Sequence, residues 1–170
     1  HNYVAQNYIW NLPRRDFEEL YYRVREIYPG PAPPFDDVWK LYGGNPRGLE
    51  ELAVRHSWDV GDHMRFLMEK KQIERVANVL KERGLADLAV KVIEDVDYLH
   101  LGEERGLGDL REILIKENLV MDLPRGIPLG GESIVKSPFE PPPIDKDLGV
   151  GQYYAWQMPA YKELLRKALA

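Results

Sequence analysis

The chain has 170 residues, 44% of them hydrophobic and 30% charged, with a net charge of −5. That is enough apolar surface for one large core or two small ones. The acidic balance argues against a general nucleic-acid binder, although a local basic face stays possible. Cysteine is absent, which excludes a disulfide framework and thiolate metal or redox chemistry. No run approaches the ~20 apolar residues of a membrane span, and no leader pattern opens the chain. These features fit a cytoplasmic protein. Abundant Pro, Arg and Glu without Cys is also compatible with a thermophilic source. The start at His1-Asn2-Tyr3-Val4 lacks Met, so the chain is read as a fragment of something longer, with His1 as a tag remnant.

Residues 1–12 mix aromatic and polar side chains, and Tyr3, Tyr8, Ile9 and Trp10 are expected to cover a neighbouring surface. Pro13 opens a helix. Phe17, Leu20, Tyr21, Val24, Ile27 and Tyr28 form its apolar stripe, with acids early and Arg23 and Arg25 late, as the helix dipole prefers. Pro29-Gly30-Pro31-Ala32-Pro33-Pro34 stops it and serves as a stiff spacer. Phe35 to Tyr42 form a second helix that ends at Gly43-Gly44. Asn45 is a good N-cap and Pro46 suits the first helical position, so a third helix follows and runs to about His56. Arg47 breaks the local pattern, because a cation in a first turn meets the positive end of the dipole. It either pairs with Glu51 at i,i+4 or is held out for a phosphate.

The next helix starts near Ser57 or Asp59, with a stripe of Val60, Met64, Leu67 and Met68. That register fails at Lys71 and resumes, rotated, at Ile73, Val76, Ala77 and Leu80. Glu69-Lys70-Lys71-Gln72 is therefore a seam, either a break or one long helix serving two cores. Three helices follow: Ile73 to about Arg83, a second through Leu85, Ala89, Val92 and Val96, and a third capped by Asp109 with Leu110, Ile113 and Leu114 inside. Extended pieces are expected at Leu119–Leu123, Ser133–Lys136 and Gln152–Gln157, then an amphipathic helix from Ala160 to Ala170. The fold class is mainly α: a helical bundle over residues 1–70, then a winged-helix domain with a small antiparallel sheet over 71–170.

Gly43-Gly44-Asn45-Pro46-Arg47 with Leu49 and Leu52 resembles the second sensor motif in the helical lid of archaeal AAA+/STAND-type ATPases. Ile9-Trp10-Asn11-Leu12-Pro13-Arg14-Arg15-Asp16-Phe17 is similar to the family's lead into that lid, and Leu148 to Pro159 to a segment of its C-terminal winged helix. The resemblance implies a lid and winged-helix region that couples nucleotide state to domain motion or partner binding. Arg47 would sense the nucleotide's phosphates, with Gly44, Asn45 and Pro46 as its motif neighbours. ATP and magnesium would be ligands of an upstream P-loop core, the chain's main partner, and no cofactor is expected on this chain alone. A protein partner for the winged helix is also implied.

Other chemistry finds little support. Gly126-Ile127-Pro128-Leu129-Gly130-Gly131-Glu132-Ser133 has phosphate-loop spacing, but Glu132 stands where the phosphate-gripping lysine belongs, so it reads as a wing tip. His1, His56, His63 and His100 lack metal-ligand spacing and are expected to be solvated or at the core edge. No Ser sits in a nucleophile elbow. The alternative function is a stand-alone winged-helix DNA-binding regulator. Its reading helix would offer Arg111 and Lys116, and its wing Arg125 and Lys136. Asp109, Glu112 and Glu117 oppose the first pair, so a protein-contacting role is favoured over DNA. Tyr153-Tyr154-Ala155-Trp156 reads as core rather than a base-stacking strip.

Overall fold

The computed structural model describes residues 11–123 and 142–170. Expectations for residues 1–10, the Gly126–Ser133 loop, the Ser133–Lys136 strand, Arg125 and Lys136 lie outside the described residues. The described fold is mainly helical with a small two-stranded antiparallel sheet. Its helices are α1 (Arg14–Ile27), α2 (Phe35–Tyr42), α3 (Pro46–Glu50), α4 (Val60–Lys70), α5 (Ile73–Glu82), α6 (Ala86–Glu94), α7 (Tyr98–Leu101), α8 (Leu107–Lys116) and α9 (Pro159–Leu169). The strands are β1 (Val120–Asp122) and β2 (Tyr154–Trp156). No helix among the described residues is long and apolar enough to cross a membrane.

The α1 stripe buries Phe17 and Tyr21 against Phe35 of α2 and Trp58, ring to ring. The proline spacer is tied down by the Tyr21 hydroxyl, which donates to the Pro33 carbonyl. A left-handed Gly43 closes α2. Asn45 then caps α3 by accepting from the Gly48 N–H at 2.9 Å, with Pro46 in the first turn. Past Glu50 the backbone widens into a π-turn over Glu51–Arg55, which buries three successive residues, Glu51, Leu52 and Ala53. Such turns are rare and concentrate at functional positions. Ser57 and Trp58 follow with φ of 48° and 69°. That left-handed backbone is costly for non-glycine residues. Trp58 is held there by its indole N–H, which donates to the Tyr28 carbonyl at 2.8 Å.

At the seam the helix does break. Gln72 adopts φ 51° between α4 and α5. The buried cluster nevertheless runs across it without interruption, from Phe17, Tyr42 and Leu67 to Ile73, Leu80 and Leu114. The closing helix α9 joins the two sides, since it lies against α2, α4, α5 and α6. Each fully buried Leu or Ile here is worth about 1.5–3 kcal/mol of hydrophobic transfer.

Strand β2 pairs antiparallel with β1, Val120 opposite Trp156 and Asp122 opposite Tyr154. Tyr154, Ala155 and Trp156 are all buried, so this segment is core, as its aromatic content implied. The start of β2 is clamped by Asp97. Its carboxylate accepts from the N–H groups of Gln152, Tyr153 and Tyr154 at 2.7, 2.9 and 3.3 Å.

Three expectations are corrected. Asp109 is not the cap of α8. The helix starts three residues earlier, behind Gly106 at φ 100°, because Leu107 belongs to its buried stripe with Leu110 and Leu114. The α4 stripe buries His63 and Leu67 and leaves Val60, Met64 and Met68 half-buried. His63 is thus neither solvated nor at the edge: it is fully buried.

Candidate functional site

The corner between α2 and α3 assigns packing work to most of its residues. Gly44 sits at φ 88°, and a Cβ there would lie 2.1 Å from the Leu12 carbonyl oxygen. The absent side chain admits the incoming backbone, whose Leu12 N–H donates to the Gly44 carbonyl at 2.8 Å. Gly43 abuts Pro159 at the start of α9, and Gly48 rests on the ring of Tyr42. Asn45 is spent on its cap and Pro46 on the first turn. Gly44, Asn45 and Pro46 therefore shape the corner.

Arg47 is the exception. Its side chain is 75% exposed, and its described polar partner is Glu51, with Nε 3.3 Å from Oε1. The i,i+4 pair expected of a structural arginine is present. Its Nη groups have no partner among the described residues.

Glu51 is the hub behind it. This side chain, at the head of the π-turn, faces inward and is 7% exposed. Oε1 also accepts from Lys70 Nζ at 2.9 Å, and Oε2 faces Nε2 of His63 at 3.3 Å. Burial alone would raise the carboxyl's pKa. The bonds from Lys70, His63 and Arg47 outweigh it and hold the value below normal. On the far side of His63, Nδ1 meets the Tyr42 hydroxyl at 2.7 Å. Burial pushes the His63 pKa down, against the pull of Glu51. His56 stacks on His63 at 4.7 Å between centroids and meets Asp62 at 2.7 Å through Nδ1.

Lys71 lies beside this group with its ammonium 5.1 Å from the Tyr161 ring centre. Burial lowers its pKa, and the charges of Lys70 and Arg47 lower it further. Burial also pushes the Tyr161 hydroxyl up to about 12. Two cations thus bond one buried carboxylate with a third nearby, and the outermost presents its guanidinium to solvent. Such a group can receive an oxyanion through paired N–H donors. Its hydroxyl against a base, Tyr42 on His63, is fully buried. Among the described residues no group of three or more His, Asp or Glu could hold a metal ion.

On α8 the two cations named for a reading helix do not converge. Arg111 is half-buried and reaches the Tyr154 hydroxyl at 3.5 Å, and Lys116 is exposed five residues on. At ~100° per residue those two side chains diverge around α8. Glu117, between them and the seam, is held by Arg75 at 2.9 Å.

The sequence offered Glu51 as partner of Arg47, but the burial of Glu51 and His63 and the clamp at Asp97 escaped its reading. For His63 a signal existed: it falls at i+3 from Val60 and i−4 from Leu67, on the helix face that the apolar residues mark. For the burial of Glu51 none did, because the partners that receive it, His63 and Lys70, lie on another helix. Comparison with known protein families, curated proteins and solved structures finds no match to this chain.

Proposed function

We propose that this chain is the helical lid and winged-helix regulatory region of a P-loop ATPase of the AAA+/STAND type, with Arg47 facing the nucleotide's phosphates. The supporting observation is the division of labour in the corner motif. Its glycines, Asn45 and Pro46 are consumed by packing and capping, while Arg47 stays exposed with its Nη groups unengaged. In this reading the P-loop core supplies the ATP and magnesium site, and the chain supplies a positive charge that meets the phosphates when the cleft closes. Helices α5, α6 and α8 with β1 and β2 form the winged-helix part, which contacts protein. Because α9 lies against both sides of the seam, the two parts move together rather than independently.

The test uses the protein that carries the phosphate loop. Arg47→Ala there should lower ATP turnover by about 10²-fold or more, the scale at which charge on a transferring phosphoryl group acts. Unchanged turnover would remove the sensing role. The isolated chain should show no chelator-sensitive ATP hydrolysis above a heat-killed control. A nanomolar, salt-dependent shift of duplex DNA by this chain would favour the DNA-binding regulator instead.

A further inference from the structure

The Arg47 site is wired to a buried base. Arg47 and Lys70 share Oε1 of Glu51, and Oε2 of the same carboxylate faces His63. We propose that engagement of an oxyanion by Arg47 is coupled to uptake of one proton by the imidazole of His63. This rests on the reading of Arg47 as a phosphate-facing residue and adds a regulation of that site.

The ring of His63 can keep its two hydrogen bonds in both protonation states. In neutral His63 the Tyr42 hydroxyl donates to Nδ1, and Nε2–H donates to Glu51. In the charged ring both nitrogens donate. A tyrosine oxygen accepts as readily as its hydroxyl donates, so Tyr42 can reverse its role. Both ring nitrogens of His63 keep a partner in either state, while the Tyr42 hydroxyl hydrogen loses its acceptor in the charged one.

The sign follows from the charges around the ring. The π-turn contributes Glu51, α2 contributes Tyr42, and α4 contributes Lys70 and, through His56, Asp62. His56 itself stacks on the opposite face. Arg47, Lys71 and, from α9, Tyr161 act through Glu51. At rest Arg47 and Lys70 balance the carboxylate, and burial keeps His63 neutral. An oxyanion at Arg47 adds negative charge and draws the guanidinium away from Glu51. Both effects favour the imidazolium. Linkage makes the coupling reciprocal, so a charged His63 binds the anion more tightly by the same factor.

Sulfate is a suitable probe, because it does not titrate where histidine does. The intact chain is titrated between about pH 5 and 8 by histidine-resolved NMR, in chloride and in sulfate of equal ionic strength. The His63 midpoint should rise by about one unit in sulfate, a tenfold gain in proton affinity. His100, exposed and stacked on Tyr153, should stay put. Arg47→Gln, at an exposed position, should abolish the shift. His63→Gln, where it folds, should make sulfate affinity independent of pH. If sulfate moves the Arg47 side-chain resonances but not His63, the coupling is wrong and the phosphate-facing reading survives. If neither moves, both are wrong. An equal His63 shift in Arg47→Gln also overturns the coupling.

Discussion

Gly44→Ala separates the architectural part of the corner motif from its exposed arginine. Two terms act on the folded state. A Cβ at φ 88° carries the left-handed penalty of about 1–2 kcal/mol, partly offset by the lost freedom of the unfolded chain. The new methyl would also stand 2.1 Å from the Leu12 carbonyl oxygen and 3.1 Å from its carbon. That neighbour is backbone and cannot swing aside, so the segment entering α1 must move. The move costs the 2.8 Å Leu12–Gly44 bond, worth about 1 kcal/mol. It also loosens Asn11, whose amide donates to the Gln157 carbonyl at 3.2 Å. The expected loss is about 3 kcal/mol. Urea unfolding reads it as a lower midpoint at unchanged slope. For a chain of this size the melting temperature should drop by about 6–12 °C. Gly84→Ala is the control: it also has positive φ, at 69°, but nothing lies within 4 Å of its Cβ position. It should cost only about 1 kcal/mol. Equal losses in the two variants would refute the close approach at Gly44.

Arg47→Ala should change the chain's stability by less than ~0.5 kcal/mol, because the residue is 75% exposed and Glu51 keeps Lys70 and His63. A loss well above that in urea unfolding would make Arg47 a structural residue. Asp97→Ala leaves three backbone N–H groups without their acceptor and should cost about 2–4 kcal/mol; an unchanged melting temperature would refute the clamp. The depressed pKa values of His63 and Glu51 set the acid side of the stability curve. The unfolded chain takes up protons that the folded chain refuses, so stability falls as pH drops below His63's ordinary 6.5, and again below Glu51's ordinary 4.5. Melting that stays flat from about pH 7 to about pH 5 would contradict a buried neutral His63. A piece starting at Gln72 should lose cooperative melting, since it exposes the faces of α5 and α9 that α2 and α4 cover; a sharp transition in that piece would show a separate core.

Local chemistry made much of this fold readable. Phe17 and Tyr21 at helical spacing, the Asn45-Pro46 start and the aromatic run at Tyr154 all carry their structural reasons within a few neighbours. The misreadings share a cause, which is that distant residues decide them. Asp109 has the chemistry of a cap, but Leu107 is needed in the core, so α8 begins earlier. Asp97 looks like a turn residue and instead holds a strand more than fifty positions away. His63 falls on an apolar face, and nothing in its own helix shows that Tyr42 and Glu51 await it. The seam was visible as a break in register. Its continuity was not, because α9 returns to cover it from the end of the chain.

The polar core sits where the backbone is least regular, and the two facts belong together. A buried carboxylate with cationic partners seldom stabilises a protein more than apolar side chains of similar volume would. A π-turn followed by two left-handed residues is likewise a poor choice for a simple connector. What the arrangement does achieve is continuity. Tyr42 ends the helix that leads into the glycine corner, His63 lies in mid-α4, Lys70 ends α4 at the seam, and Glu51 touches both of the latter and Arg47. Glu50 and Glu51 keep regular helical dihedrals, so residue 51 stands about 100° from residue 50 and four residues on from Arg47. From there the carboxylate reaches His63 and Lys70 together. The one shared carboxylate connects a solvent-facing cation to the interior. A change at Arg47 can be felt at the seam without either helix having to move.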